Sequence, residues 1–183
     1  MSRKLIDNVP IHQLQYPEQG QNYVFNGCMK FLMECMGEDE AYDYWFFSTV
    51  SGDSFVQVFV ADKEKSGACF SDLKFDYDLI KHVFDSIGYN FTFMSADNWQ
   101  NDKQKCKRKL MEYIDKGIPI IGKGFNYTDE NGNEFLTNEI SCIIGYENDG
   151  EYFYRLPEEA TNLISFTLND PIPYTFVFIE EKK

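Results

Sequence analysis

The stretch that most constrains how this chain folds is NEISCIIGYENDGEYFYRL, Asn138 to Leu156. It reads as two β-rich runs joined by Asn-Asp-Gly, residues that tolerate the positive φ a tight hairpin needs. It also sits inside a longer series of the same kind. IPIIGKGF, EISCIIGYE, EYFYRL, LISFTL and PYTFVFIEE follow one another from Ile118 onward. Turn signals such as ENGN and ENDG separate them, so the spacing predicts an antiparallel meander.

The first two thirds of the chain carry a different period. NGCMKFLMECMG places Phe31, Leu32, Cys35 and Met36 at helical spacing, with Gly37 as a stop. EDEAYDYWFFSTVSG predicts a second helix, with acidic residues in its first turn. FDYDLIKHVFDSIG predicts a third, with an apolar stripe of Leu79, Ile80, Val83, Phe84 and Ile87 and a stop at Gly88. DNWQNDKQKCKRKLMEYIDKG predicts one further helix, ended by Gly117. Strands are expected from about Phe55 to Val60 and over YNFTFMS. Helices first and antiparallel strands afterwards give an α+β domain, with N-terminal helices packed on a C-terminal, mostly antiparallel sheet.

With 183 residues and no repeat or linker, one domain is expected over 1–183. It divides into an N-terminal segment 1–21, a helical part about 22–117 and a β-rich part about 118–183. A formal charge of −13 argues against nucleic acid and anionic membrane surfaces, which recruit Lys and Arg. It suits a small-molecule or peptide ligand that bears an amine. No apolar run is long enough to span a bilayer, and no apolar region follows the basic start. Five cysteines without CxxC or a zinc-type array fit free thiols in a reducing compartment. A cytoplasmic protein without a metal or cofactor is therefore expected. The loop DENGNE has its glycine out of place for calcium, and no phosphate-binding glycine loop is present.

Two motifs, taken with the order of parts, resemble the papain-like cysteine hydrolase fold. More narrowly, the chain is similar to the butirosin-biosynthesis protein H-like group. The motifs are NGCMKFLMECMG, a cysteine opening an apolar helix, and KGIPIIGKG followed by NEISCIIGYENDGEYFYRL. PYTFVFIEEKK is similar to the closing strand of such proteins. The resemblance runs from about Cys28 to the end of the sequence. It implies a thiolate nucleophile at the start of a helix, a histidine on the facing strand, a polar residue that orients the histidine, and an oxyanion hole. The chemistry it implies is acyl transfer to an amine or hydrolysis of an amide.

Carried over by position, the nucleophile falls on Cys28, where a helix start would favour thiolate. Gln21 or Asn22 are the oxyanion candidates. The histidine position falls on Glu139, a poor proton shuttle for a thiol and a charge that would raise its pKa. The chain has two histidines, His12 and His82. His12 stands in a segment able to lie over a cleft, and His82 at the edge of a helical stripe. Asp53, in the turn SGD, is a further pocket candidate. Each has a plain structural reading: Cys28 as a small core residue, Glu139 as an acid opening a strand, and Asp53 as turn chemistry. Two functions follow. One is a divergent papain-like domain that binds a ligand in the former active-site cleft without ordinary protease activity. The other is a cysteine-dependent acyltransferase or amide hydrolase using Cys28.

Overall fold

The structure, a computed structural model, describes residues 3–7, 14–56, 70–128, 134–156, 163–169 and 172–183. Helix α1 spans Val24–Cys35 and ends as its glycine predicts. Gly37 takes φ +71, its N–H bonds the Glu34 carbonyl at 3.1 Å, and Glu38 N–H bonds the Met33 carbonyl at 3.0 Å. These two bonds satisfy carbonyls that the helix end would orphan, and a β-carbon at residue 37 would oppose that φ.

Helix α2, Tyr44–Val50, begins later than its acidic run suggested. Asp43 accepts from Phe46 N–H at 2.7 Å and so caps the helix rather than joining it. Helix α3 is the single turn Phe70–Leu73, and α4 runs over Tyr77–Ser86 with Asp76 as its cap. Beyond α4, strand β2 covers Tyr89–Met94. The one long helix expected next is two, α5 over Ala96–Gln100 and α6 over Lys103–Asp115. The break has a cause, since Asp102 caps a new start by accepting from Lys105 N–H at 3.0 Å. The strand expected from Phe55 does not form there. Phe55 and Val56 belong to a turn closed on the Gly52 carbonyl, and 57–60 lie outside the described residues.

The remaining strands are β3 Ile120–Thr128, β4 Glu134–Glu147, β5 Tyr152–Arg155, β6 Ile164–Phe166 and β7 Thr175–Lys182. A short N-terminal strand that sequence reasoning missed, β1 at Arg3–Leu5, joins them. The described residues form a seven-stranded sheet in the order β2-β7-β3-β4-β5-β6, every pairing antiparallel. β3 to β6 are the expected meander. β1 pairs with Gly145 to Glu147 of β4, beyond Ile143, where the pairing with β3 stops. At the β4–β5 turn Asn148 and Asp149 take φ +51 and +52, the geometry their side chains tolerate best among non-glycine residues.

Register fixes which side chains share a face. Phe93, Val177, Ile121 and Cys142 stand in one row across β2, β7, β3 and β4. Phe93 packs on Phe75, and Phe75 on Phe25 of α1, so this row faces α1 and α4. The adjacent row, Met94, Phe176, Gly122 and Ser141, faces the other way. Phe176 meets Trp99 of α5, and Phe178 meets Tyr113 of α6. The domain is therefore α+β with helices on both faces of the sheet. The expectation of N-terminal helices laid on a C-terminal sheet is corrected here, because α5 and α6 cover the second face and β1 and β2 join the sheet.

Candidate functional site

Cys28 is the fifth residue of α1 and 0% exposed, rather than a residue at the helix start. The dipole argument for a thiolate, which applies within the first turn, does not reach it. Its preceding residue marks a close backbone approach. A β-carbon on Gly27 would lie 1.5 Å from the Leu14 carbonyl oxygen. The N-terminal segment crosses α1 at Gly27, where only a glycine lets the two backbones meet, and Leu14 is itself buried. His12 lies two residues upstream of Leu14, outside the described residues.

On the sheet side, the Cys142 thiol points at the Cys28 carbonyl oxygen, 3.7 Å away. Burial, and then contact with the Cys28 thiol, push the Cys142 thiol well above its ordinary pKa. Cys35, two turns further along α1, is half-buried, and desolvation pushes it up to about 12. Cys106 of α6 is pushed up to about 12 by burial alone. The four cysteines among the described residues are free thiols, and Cys35, Cys106 and Cys142 are all shifted away from thiolate.

Glu139 does not share this environment. It pairs with Phe125 in the β3–β4 register and precedes Ile140, which stands in the row facing α1. Because successive strand residues point to opposite faces, Glu139 points to the α5/α6 side. There its carboxylate meets the Arg155 guanidinium at 3.1 Å. Arg155 is 2% exposed and stacks over the Phe125 ring at 4.7 Å. Phe125 packs in turn on Phe166 and Tyr174. The sheet itself separates Cys28 from Glu139, so the two side chains share no cleft. Sequence reasoning passed over Arg155, although a lone cation inside the apolar run EYFYRL calls for a carboxylate.

The two oxyanion candidates lie in the connection that leads into α1. Gln21 exchanges two backbone hydrogen bonds with Tyr16, at 3.0 and 3.1 Å. Asn22 is exposed, and its amide turns back to the Gly20 carbonyl at 3.4 Å. His82 stands on the exposed side of α4.

Asp53 is more than a turn residue. It is buried, and its carboxylate accepts from Asn26 Nδ2 at 2.9 Å, Ser51 Oγ at 3.1 Å, Ser71 N–H at 2.9 Å and Ser71 Oγ at 2.7 Å. Ser51 Oγ lies 3.0 Å from Asn26 Oδ1 as well, so its one proton is shared between the two acceptors. Four donors satisfy a carboxylate that burial would otherwise penalise. The clasp ties α1, two residues before Cys28, to the end of α2 and the start of α3. An asparagine inside the apolar helix VFNGC was the available sequence signal, since a buried amide needs a partner.

An open cavity lies at the other end of α1. It measures about 290 Å3 and is lined by Lys30, Met33, Glu34, Glu38, Asp39, Glu40, Tyr42 and Asp43. Carboxylates dominate this lining. Lys182 and the Tyr89 hydroxyl hold the Glu38 carboxyl below its usual range. Among the described residues, no group of His, Cys, Asp or Glu is placed to hold a metal ion, and no helix is long and apolar enough to cross a membrane. Compared with protein-family models and with curated proteins, the chain matches none.

Proposed function

We propose that this chain is a divergent papain-like domain that binds a small amine-bearing molecule or peptide and does not carry out ordinary proteolysis. The observation that carries the reading is the isolation of Cys28. Its thiol is buried, it faces Cys142, and Glu139 lies across the sheet. A thiol nucleophile needs a base within hydrogen-bond reach and a path for substrate. Neither Glu139 nor His82 supplies the base, so the cysteine-dependent acyltransferase or hydrolase reading is the weaker of the two.

The ligand site is the acid-lined cavity at the end of α1 rather than the packed surroundings of Cys28. Its volume lies near the lower end of small-molecule sites, and its carboxylates favour a cation. Tyr42 offers a ring at the same rim, and aromatic faces attract ammonium groups. Isothermal titration with spermidine tests the reading. Binding that weakens at least about tenfold in Glu34→Gln/Glu40→Gln, and weakens with salt, is expected. Affinity unchanged in that variant, or no binding at low salt, overturns the cavity as the amine site.

A further inference from the structure

Cations are scarce in this chain, 17 Lys and Arg against 30 Asp and Glu, so a lysine has no shortage of carboxylates to pair with. Most lysines of the structured elements do pair. Lys4 meets Asp115, Lys30 meets Glu34, Lys81 and Lys183 meet Asp85, Lys109 meets Glu180, Lys116 meets Glu112 and Lys182 meets Glu38. Lys103 and Lys107, like Lys105 between them, depart from this pattern. Among the described residues neither forms an ion pair or a side-chain hydrogen bond. They stand one turn apart on α6, where like charges repel, and Lys103 lies in the first turn, where the helix dipole disfavours a cation.

Both lysines line one cavity of about 150 Å3, on the face of the sheet opposite α1. Gln104, Gly150, Glu151, Thr167, Leu168 and Asn169 complete its wall. The β4–β5 turn is pressed onto the Lys107 stem, since a β-carbon on Gly150 would lie 2.8 Å from Lys107 Cε and 2.8 Å from Met111 Sδ. That contact holds a half-buried lysine toward the cavity. The backbone N–H groups that open α6 are not the attraction, because Asp102 already takes the one from Lys105.

We propose that this cavity binds a phosphoryl group, as inorganic phosphate or as the phosphate end of a small monoester. The Lys103 and Lys107 ammonium groups supply the charge, and the Gln104 and Asn169 side-chain amides supply neutral donors. The volume is that of roughly five water molecules at ~30 Å3 each, which admits a tetrahedral anion and little beyond it. With Glu151 as a single carboxylate against two ammonium groups, the lining stays net positive. Lysine ammonium groups act on phosphate as point charges and need no planar fork.

The test is titration of the full chain with inorganic phosphate and with methyl phosphate at constant ionic strength, read by amide chemical shifts around Gly150 and by thermal midpoint. A saturable shift at Gly150 and a rise in midpoint are expected for at least one of the two. Tighter binding of methyl phosphate points to an organic phosphate, and tighter binding of inorganic phosphate to the free ion; both uphold the site. Affinity must fall at least about tenfold in Lys103→Gln/Lys107→Gln and stay unchanged in Lys105→Gln. Shifts equally produced by chloride, no saturable shift from either phosphate, or a double variant that binds as the native chain does, overturn the proposal.

Discussion

Cys28 and Glu139 belong to opposite sides of the same sheet. Cys142, three residues after Glu139 on β4, directs its thiol to the Cys28 carbonyl, while Glu139 itself reaches Arg155 on the α5/α6 side. Pleating alone enforces this outcome. Residues three apart on a regular strand point to opposite faces, so one strand cannot present both Cys142 and Glu139 to α1. The chemistry that a cysteine at this position would need is thereby divided.

The Asp53 clasp should matter more to stability than its place in a turn implies. Asp53→Ala removes the acceptor that the Asn26 amide, the Ser71 N–H and the Ser71 hydroxyl share. A loss of about 3 kcal/mol is expected, within the range for breaking buried charged hydrogen bonds. Urea denaturation of Asp53→Ala, Asn26→Ala and the double variant measures it. The two single losses together should exceed the loss in the double variant, showing a coupling of at least about 0.5 kcal/mol.

The Glu139–Arg155 pair makes a different prediction. Glu139→Gln leaves a guanidinium that is 2% exposed facing a neutral amide. A destabilisation of about 3 kcal/mol is expected, at the lower end for a broken buried pair because Glu139 keeps some contact with solvent. Replacing both residues, as Glu139→Leu/Arg155→Met, should recover most of that loss, because the desolvation of both charges goes with them. Chemical denaturation of the two variants decides it. Equal instability of the single and double variants contradicts the pairing.

Acid should weaken the packing of α6 on the sheet. Burial pushes the Glu180 carboxyl up, but hydrogen bonds from Thr92, Lys109 and Tyr113 outweigh it and hold the carboxyl below its ordinary 4.5. A carboxyl lowered on folding contributes stability that is present above its unfolded pKa and is lost as pH falls through the folded value. The native chain should therefore lose stability from about pH 4.5 downward, and Glu180→Gln should lose less over the same interval. Denaturation midpoints at pH 7 and pH 3 for both proteins measure the difference.

Much of the fold was legible because its signals are local. Gly37, Gly88 and Gly117 end their helices, and Asn148 to Gly150 turn β4 into β5, as their residue types require. What was missed depends on contacts distant in sequence. β1 has only Arg3, Lys4 and Leu5, too short and too charged to read as a strand, and it exists through pairing with Gly145 to Glu147. The face of Glu139 was hidden for a related reason. In EISCIIG both faces of β4 are covered by helices, so apolar residues stand on each and the usual alternation gives no direction. The link from Asn26 to Asp53 spans 27 positions, and that from Glu139 to Arg155 joins neighbouring strands; neither leaves a motif. The position of Cys28 was legible as a helical cysteine, but its packing against Cys142 of β4 joins residues 114 positions apart, which no spacing encodes.

The central claim is that Cys28 is a packed residue and not a nucleophile. Its most direct test is incubation of the native chain with excess short-chain acyl thioester, followed by intact mass and peptide mapping. No acyl adduct at Cys28 is predicted while the protein remains folded, with ordinary thiol reactivity returning in denaturant. A stoichiometric acyl group on Cys28 in the native protein, absent in Cys28→Ala, contradicts it.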